Sequence, residues 1–144
     1  MPKDAFCTNV PPDRIRRAAV TAWIAKAEED FLAADNNVRA EQVPWAIVCF
    51  HAQQAAEKYL KAALIAHEVR APYTHDLTEL LTRLADRDAT LSSLADDANL
   101  LSVYAVDVRY PDFLGVVTRD DGIAALAAGR RVKSVILQLL DQSH

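Results

Sequence analysis

The chain has 144 residues, of which 51% are hydrophobic and 25% are charged, and its formal net charge is −4. This composition suits one globular domain with a sizeable core, and the charge gives no support for bulk attraction to nucleic acid while leaving local basic patches open. Two cysteines exclude a disulfide framework, and the chain has no signal-peptide pattern and no apolar stretch long enough to span a membrane. These features predict a reduced, cytoplasmic protein that does not enter the membrane.

The first predicted helix begins at Asp13, after residues 1–11, which lack periodicity and are expected to be a flexible arm beside a single domain over 12–144. Asp13 is the expected N-cap, and Asp35-Asn36-Asn37 is the expected end. Three basic residues follow the cap: Arg14, Arg16 and Arg17. At the positive end of the helix dipole they form either a solvated turn or a contact with an anion or acidic partner.

A long central helix is predicted over 42–68, because strong helix formers fill this stretch and Pro44 suits a first turn. Spacing of 100° per residue separates two sides of this helix. A broad apolar arc comprises Trp45, Val48, Cys49, Ala52, Ala55, Ala56, Tyr59, Leu60, Ala63 and Ala66. The opposite side carries the polar His51, Gln54, Lys58 and Lys61, interrupted by Ile47, Phe50 and Ile65. Such a helix is expected at the centre of a bundle.

Three further helices are expected after a loop over 69–74. Either Thr74 or Asp76 caps the third, whose buried edge is formed by leucines at 77, 80, 81 and 84. The fourth is expected from about Leu91 to Val108, ending before Pro111. Its apolar line comprises Leu94, Ala98, Leu101, Tyr104 and Ala105.

The last helix is expected over 118–142. Its start carries the good capping and first-turn residues Thr118, Asp120 and Asp121, and its core face carries Val132, Val135, Ile136, Leu139 and Leu140. Gly122 and Gly129 are expected to weaken it. With short loops and no convincing strand, the chain is predicted to be all-α, an antiparallel up-and-down bundle of about five helices with a long central second helix.

Four sequence blocks stand in order along the chain. They are WIAKAEEDFLAA at 23–34, FHAQQAAEKYLKAAL at 50–64, HDL at 75–77 and YAVDVRYPD at 104–112. Their order and spacing resemble the HEPN domain family (higher eukaryotes and prokaryotes nucleotide-binding), over roughly residues 13–140. The resemblance implies a small stand-alone bacterial or archaeal helical bundle, usually a homodimer, often paired with a minimal nucleotidyltransferase in toxin–antitoxin fashion.

Many members of that family are metal-independent ribonucleases with an Arg-x4–6-His motif near the start of a late helix. Counting from Arg109, the matching positions are Leu114, Gly115 and Val116, and none is histidine. Arg70 and His75 have the Arg-x4-His spacing, but they straddle the loop before the third helix. We therefore expect no catalytic residues, with Arg70 and His75 as the alternative pair.

The matching blocks instead favour a ligand-binding surface for a nucleotide or RNA. Its candidate residues are His51, Gln54, Lys58, His75, Asp76, Tyr104, Arg109 and Tyr110. Lys58 and Arg109 suit a phosphate, Gln54 suits a base or ribose, and Tyr104 or Tyr110 suits base stacking. The structural alternative is that Asp76 or Asp107 pairs with Arg109, that His75 caps or bridges helix ends, and that Tyr110-Pro111 only ends the fourth helix.

Ile47 and Phe50 on the polar side predict a homodimer interface, unless the N-terminal arm or another helix of the same chain covers them. No metal or cofactor is predicted, because the histidines share no ligand spacing with acids or cysteines. Three functions stay open. They are a non-catalytic or weakly active nucleotide- or RNA-binding protein beside a minimal nucleotidyltransferase, an RNase toxin with a divergent active site, and a structural dimeric adaptor.

Overall fold

The computed structural model describes residues 12–105 and 116–142. The described helices are α1 (Pro12–Val38), α2 (Trp45–Ala66), α3 (Leu77–Ala85), a 3₁₀ helix (Ala89–Leu94), α4 (Ala95–Ser102) and α5 (Arg119–Asp141). These residues form no strand, and the predicted all-α bundle is confirmed. Among the described helices, none combines the length and hydropathy that a membrane span requires.

Helix α2 is the centre of the bundle, where it contacts α1, α3, α4 and α5. Helix α1 runs antiparallel to it, because Arg16 meets Glu68 at one end while Asp30 meets His51 towards the other. Helix α5 runs in the same direction as α2, since Gly122 lies against Trp45 and Gly129 against Ala52. The long second helix, α2, therefore packs against one antiparallel helix, α1, and one parallel helix, α5.

The predicted apolar arc of α2 forms the core, except that Trp45 and Ala66 at its two ends are only partly buried. Two glycines of α5 that were expected to weaken that helix are close-packing positions. A Cβ at Gly122 would stand 2.4 Å from the Trp45 ring, and one at Gly129 would stand 3.3 Å from the Ala52 carbonyl oxygen. The lower helix propensity is the cost of bringing α5 close to α2.

Side-chain caps define the starts of α3 and α5. Asp76 is the N-cap of α3, where its carboxylate accepts from the Thr78 N–H at 3.0 Å. Thr74, the other candidate, accepts from the Asp76 N–H instead. Thr118 and Asp121 form a capping box at the start of α5, which confirms the predicted boundary.

The first helix differs from its prediction at both ends. It includes Pro12, so Asp13 is a first-turn residue and not the N-cap, and the Asp13 carboxylate binds Arg16 at 2.6 Å. The helix continues through 35–37 to Val38, because the Asn37 side chain donates to the Ala33 carbonyl within the helix instead of ending it. The arm predicted over 1–11 lies outside the described residues.

The fourth helix was predicted as one segment from Leu91, and this is wrong. Asp88 caps a 3₁₀ helix, α4 starts at Ala95, and it ends at Ser102. Leu91 and Leu94 are both buried, and a spacing of three puts them on one side of a 3₁₀ helix. The predicted end near Arg109 and Pro111 lies outside the described residues.

Candidate functional site

The polar side of α2 contacts a carboxylate from α1. Asp30 is largely buried, its Oδ1 lies 2.9 Å from His51 Nδ1, and its Oδ2 accepts from Lys58. His51 and Lys58 are seven residues apart, which puts them on one face two turns from each other. The charge of Lys58, predicted to hold a phosphate, is thus balanced within the chain, and an external phosphate would have to compete with Asp30.

A second carboxylate, Glu57, lies on the side of α2 that faces the segment before α3. It is 4% exposed and receives the Lys61 ammonium at 3.1 Å and the Gln53 amide at 3.3 Å. The Nδ1 of His75 lies 3.0 Å from Glu57 Oε1. Three partners satisfy this buried carboxylate, as a charge away from water requires.

The contact with Glu57 fixes the orientation of the His75 ring. A carboxylate partner at Nδ1 favours the proton on that nitrogen and leaves Nε2 for an external contact. The side chain is 52% exposed, so a ligand can reach it. Gln53 also donates to the His75 carbonyl oxygen at 3.2 Å, which holds the backbone in place. His75 is therefore both positioned and accessible.

The segment over 67–76, which we call the α2–α3 segment, carries two more exposed side chains of interest. Tyr73 is fully exposed, and its ring centroid lies 6.5 Å from that of His75 at an interplanar angle of 57°. Arg70 is exposed and has no ion pair within the described parts of the chain. Sequence reasoning missed Tyr73, although an aromatic residue after Pro72 in a loop was a usable signal.

The remaining candidate ligand-binding residues are dispersed. Gln54 donates to the Gln53 side chain at 2.7 Å, and Asp76 is used as the α3 cap. Tyr104 is half-buried beside Cys49, and burial raises its pKa to about 12. Arg109 and Tyr110 lie outside the described residues. The structure therefore brings Gln54, His75 and Asp76 near the Gln53–Glu57 pair and places Tyr104 elsewhere.

The buried thiol of Cys49 is not a nucleophile at neutral pH. Burial raises its pKa to about 11, and this outweighs the opposing effect of a hydrogen bond with Tyr104. The protonated thiol is the unreactive form. Within the described residues, no group of three His, Cys, Asp or Glu side chains is arranged to hold a metal ion.

A third polar cluster, also missed from the sequence, joins α1, α2 and α5. The Glu28 carboxylate accepts from the Tyr59 hydroxyl at 2.6 Å and from Lys133 at 3.0 Å. Burial disfavours its charge, but the two hydrogen bonds outweigh this and lower the pKa of Glu28. The cluster ties three helices together, and the side chains of Glu28 and Lys133 remain partly exposed.

The predicted dimer residues lie near the N-terminal end of α2. Ile47 is 43% exposed. Phe50 is partly buried, and its ring meets the His51 ring edge-on at a centroid distance of 5.5 Å. Of the two, Ile47 is the side chain available to a second molecule.

Comparison with known proteins gives one family and no individual relative. The family model described as "HEPN domain" matches residues 20–139. No curated protein and no solved structure shows significant similarity to the chain. The matched range begins about two turns into α1 and ends two residues before the end of α5, and so includes part or all of every described helix. The chain belongs to the HEPN domain family.

Proposed function

We propose that the chain binds a nucleotide or an RNA segment as a cytoplasmic, non-catalytic or weakly active partner of a minimal nucleotidyltransferase, in a toxin–antitoxin-like pair. Membership of the HEPN family supports a nucleotide- or RNA-binding or RNase-type function at the coarser level. The observation that carries the proposal is the exposed Tyr73 beside the anchored His75 on the α2–α3 segment.

This arrangement offers the contacts that single-stranded RNA uses. An exposed aromatic ring provides a stacking surface for a base, and Arg70 provides a charge for a phosphate. With the proton of the neutral ring on Nδ1, the Nε2 of His75 can accept a hydrogen bond from a base amino group or a ribose hydroxyl. The segment connects two helices, and exposed connecting segments commonly carry binding residues.

Tyr73→Ala is expected to weaken binding of a short single-stranded RNA by roughly 10- to 100-fold, because stacking of a base on an aromatic ring is worth about 1–3 kcal/mol. Fluorescence anisotropy at one fixed salt concentration measures the change. Tyr73→Phe keeps the stacking surface and should bind like the parent protein. Equal affinity of Tyr73→Ala and the parent, or no binding of RNA, ATP or GTP by the parent, would contradict the proposal.

The contact between Glu57 and His75 favours one second candidate, an RNase with a divergent active site. General acid–base catalysis uses a histidine that is oriented by a buried carboxylate. Arg70, five positions before His75 in the sequence, has a guanidinium group that suits a phosphate. Incubation of the same RNA with a chelator present separates the two functions. Cleavage that His75→Ala abolishes would support catalysis, whereas intact RNA supports binding alone.

We propose that α2 also contributes to a homodimer, through the apolar surface at Ile47. Ile47→Asp is expected to convert the dimer to a monomer, because a buried charge at the interface has no partner. Light scattering measures the mass. Leu32→Asp, on α1, is the matched control because that leucine is also exposed. An unchanged mass of Ile47→Asp, or a monomeric parent, would exclude this interface.

A further inference from the structure

A cavity of about 420 Å³ opens between α1, the C-terminal end of α2 and the C-terminal end of α5. Five apolar residues line it, and none of them is fully buried: they are Val20, Ile24, Ala66, Leu137 and Leu140. Leu137 is 39% exposed. Apolar surface that faces water in a concave site favours an occupant that covers it.

Two charged groups stand beside this apolar lining. Arg17 is exposed and has no carboxylate partner within 12–105 and 116–142. The Asp141 side chain also lines the cavity, and no described residue gives it a hydrogen bond or an ion pair. A donor and an acceptor side by side suit a stretch of extended backbone, because each non-proline residue offers one carbonyl oxygen and one N–H.

The part of the chain that reaches this cavity most directly is the segment before α1. Helix α1 begins at Pro12, and its cavity-lining residues run from Arg16 to Ile24, about 6 to 18 Å along the helix axis. The adjacent prolines at 11 and 12 disfavour helical geometry in the residues before them, so the chain is expected to enter α1 from an extended segment. Six extended residues span about 20 Å, so a segment that turns back along α1 reaches the level of Ile24.

The sequence of this segment suits the apolar lining. Alternate residues of an extended chain project to the same side, and Phe6, Thr8 and Val10 therefore share one side. In a segment turned back from Pro12, Val10 comes level with the near end of the cavity and Phe6 with its far end. Both apolar side chains can then lie over the lining, with the smaller Thr8 between them.

The connection to α1 also favours this cavity over the surface at Ile47. Arg16 meets Glu68, so α1 starts beside the C-terminal end of α2, and Ile47 lies about 28 Å from Ala66 along the axis of α2. Eleven extended residues span about 36 Å, so the arm would reach Ile47 only when almost fully stretched. A segment tethered next to its site has an effective concentration in roughly the millimolar range.

We propose that residues 5–11 turn back along α1 and fill this cavity within the same chain. Phe6 and Val10 cover the apolar lining, and the backbone between them bonds to Arg17 and Asp141. The segment then connects α1, α2 and α5 at one end of the bundle. This packing does not depend on RNA binding at the α2–α3 segment.

Disulfide formation between Cys7 and a cysteine placed at the cavity tests the proposal. Thr21→Cys puts a thiol in the cavity wall, and Ala22→Cys is the matched control, because it is the next residue and is exposed outside that wall. The packed segment holds Cys7 on the side of Thr21, so Thr21→Cys should form the disulfide at least about fivefold faster under a mild oxidant. Cys49 should not compete, since burial raises its pKa to about 11.

Mass spectrometry of the digested protein identifies the linked cysteines, and non-reducing electrophoresis shows whether they belong to one chain. Equal rates for Thr21→Cys and Ala22→Cys would overturn the proposal, because the segment would then have no preferred side of α1. Disulfides that link two chains instead of forming within one would also overturn it, since a second copy would then supply the segment.

Phe6→Asp tests the apolar contact without a new cysteine. It should lower the melting temperature by about 4 °C, which is the loss of one partly buried phenylalanine in a chain of this size. Ala5→Asp is the matched control, because it adds the same charge at the neighbouring position, on the opposite side of an extended segment. It should melt like the parent protein. Equal melting temperatures of Phe6→Asp and Ala5→Asp would contradict the contact.

Discussion

Asp30→Ala is expected to lower the free energy of unfolding by about 3 kcal/mol, one of the two largest stability effects that the structure predicts. Removal of this carboxylate leaves Lys58 and His51 without their anionic partner in the contact between α1 and α2. Breaking a largely buried pair from one side costs more than the pair contributes, because the remaining charge is poorly solvated. Denaturant unfolding with linear extrapolation measures the loss.

Asp35→Ala is the matched control on the same helix. The Asp35 carboxylate pairs with Arg130 at 2.6 Å, but both side chains are well exposed, so its loss should cost less than about 1 kcal/mol. The double variant Asp30→Leu with Lys58→Met should regain much of the stability, since neither charge is then left alone. Equal losses for Asp30→Ala and Asp35→Ala would show that Asp30 is not buried against α2.

Gly129→Leu is expected to lower the melting temperature by roughly 10 °C, which corresponds to about 3 kcal/mol for a chain of this size. The first added carbon would already stand 3.3 Å from the Ala52 carbonyl and 3.4 Å from the Phe31 ring. The rest of the leucine side chain has no space unless α5 moves away from α2. Thermal unfolding followed by circular dichroism at 222 nm, the usual helical band, measures the shift.

Ala124→Leu is the control for that substitution. It adds the same side chain to the same helix at an exposed position, where changes are usually within about 0.5 kcal/mol. Gly129→Ala should be far milder than Gly129→Leu, because a gain of up to about 1 kcal/mol in helix propensity offsets the tight contact. Parent-like stability of Gly129→Leu would mean that α5 does not approach α2 this closely.

Much of the fold follows from local patterns in the sequence. The spacing of the buried leucines in α3 and the Thr118 capping box are both readable within a few residues. The division of the fourth helix is less readable, because a 3₁₀ turn and an α-helix place Leu91 and Leu94 on nearly the same side. Local sequence patterns therefore predict where the helices lie more reliably than they predict whether a given segment is an α-helix or a 3₁₀ helix.

The candidate site is less predictable, because its contacts join distant parts of the chain. From its local sequence Glu57 looks like an exposed helix residue, yet it is buried, and one of its three partners is His75, eighteen positions later. The polar side of α2 was recognisable, but nothing local identifies Asp30 as the partner of Lys58. Residue type predicts which groups need a partner, and the packing of helices decides which partner they receive.

The two glycine contacts of α5 have a consequence for how the chain assembles. Gly122 meets Trp45 and Gly129 meets Ala52, so both contacts share one register. A slip of α5 by one turn would put the side chain of Leu126 or Ala125 where a glycine now sits, and the tryptophan leaves no room there. Helices α1 and α2 are adjacent in sequence, whereas α5 comes much later, so a hairpin of α1 and α2 can form early. That hairpin then presents a surface on which α5 packs in only one register.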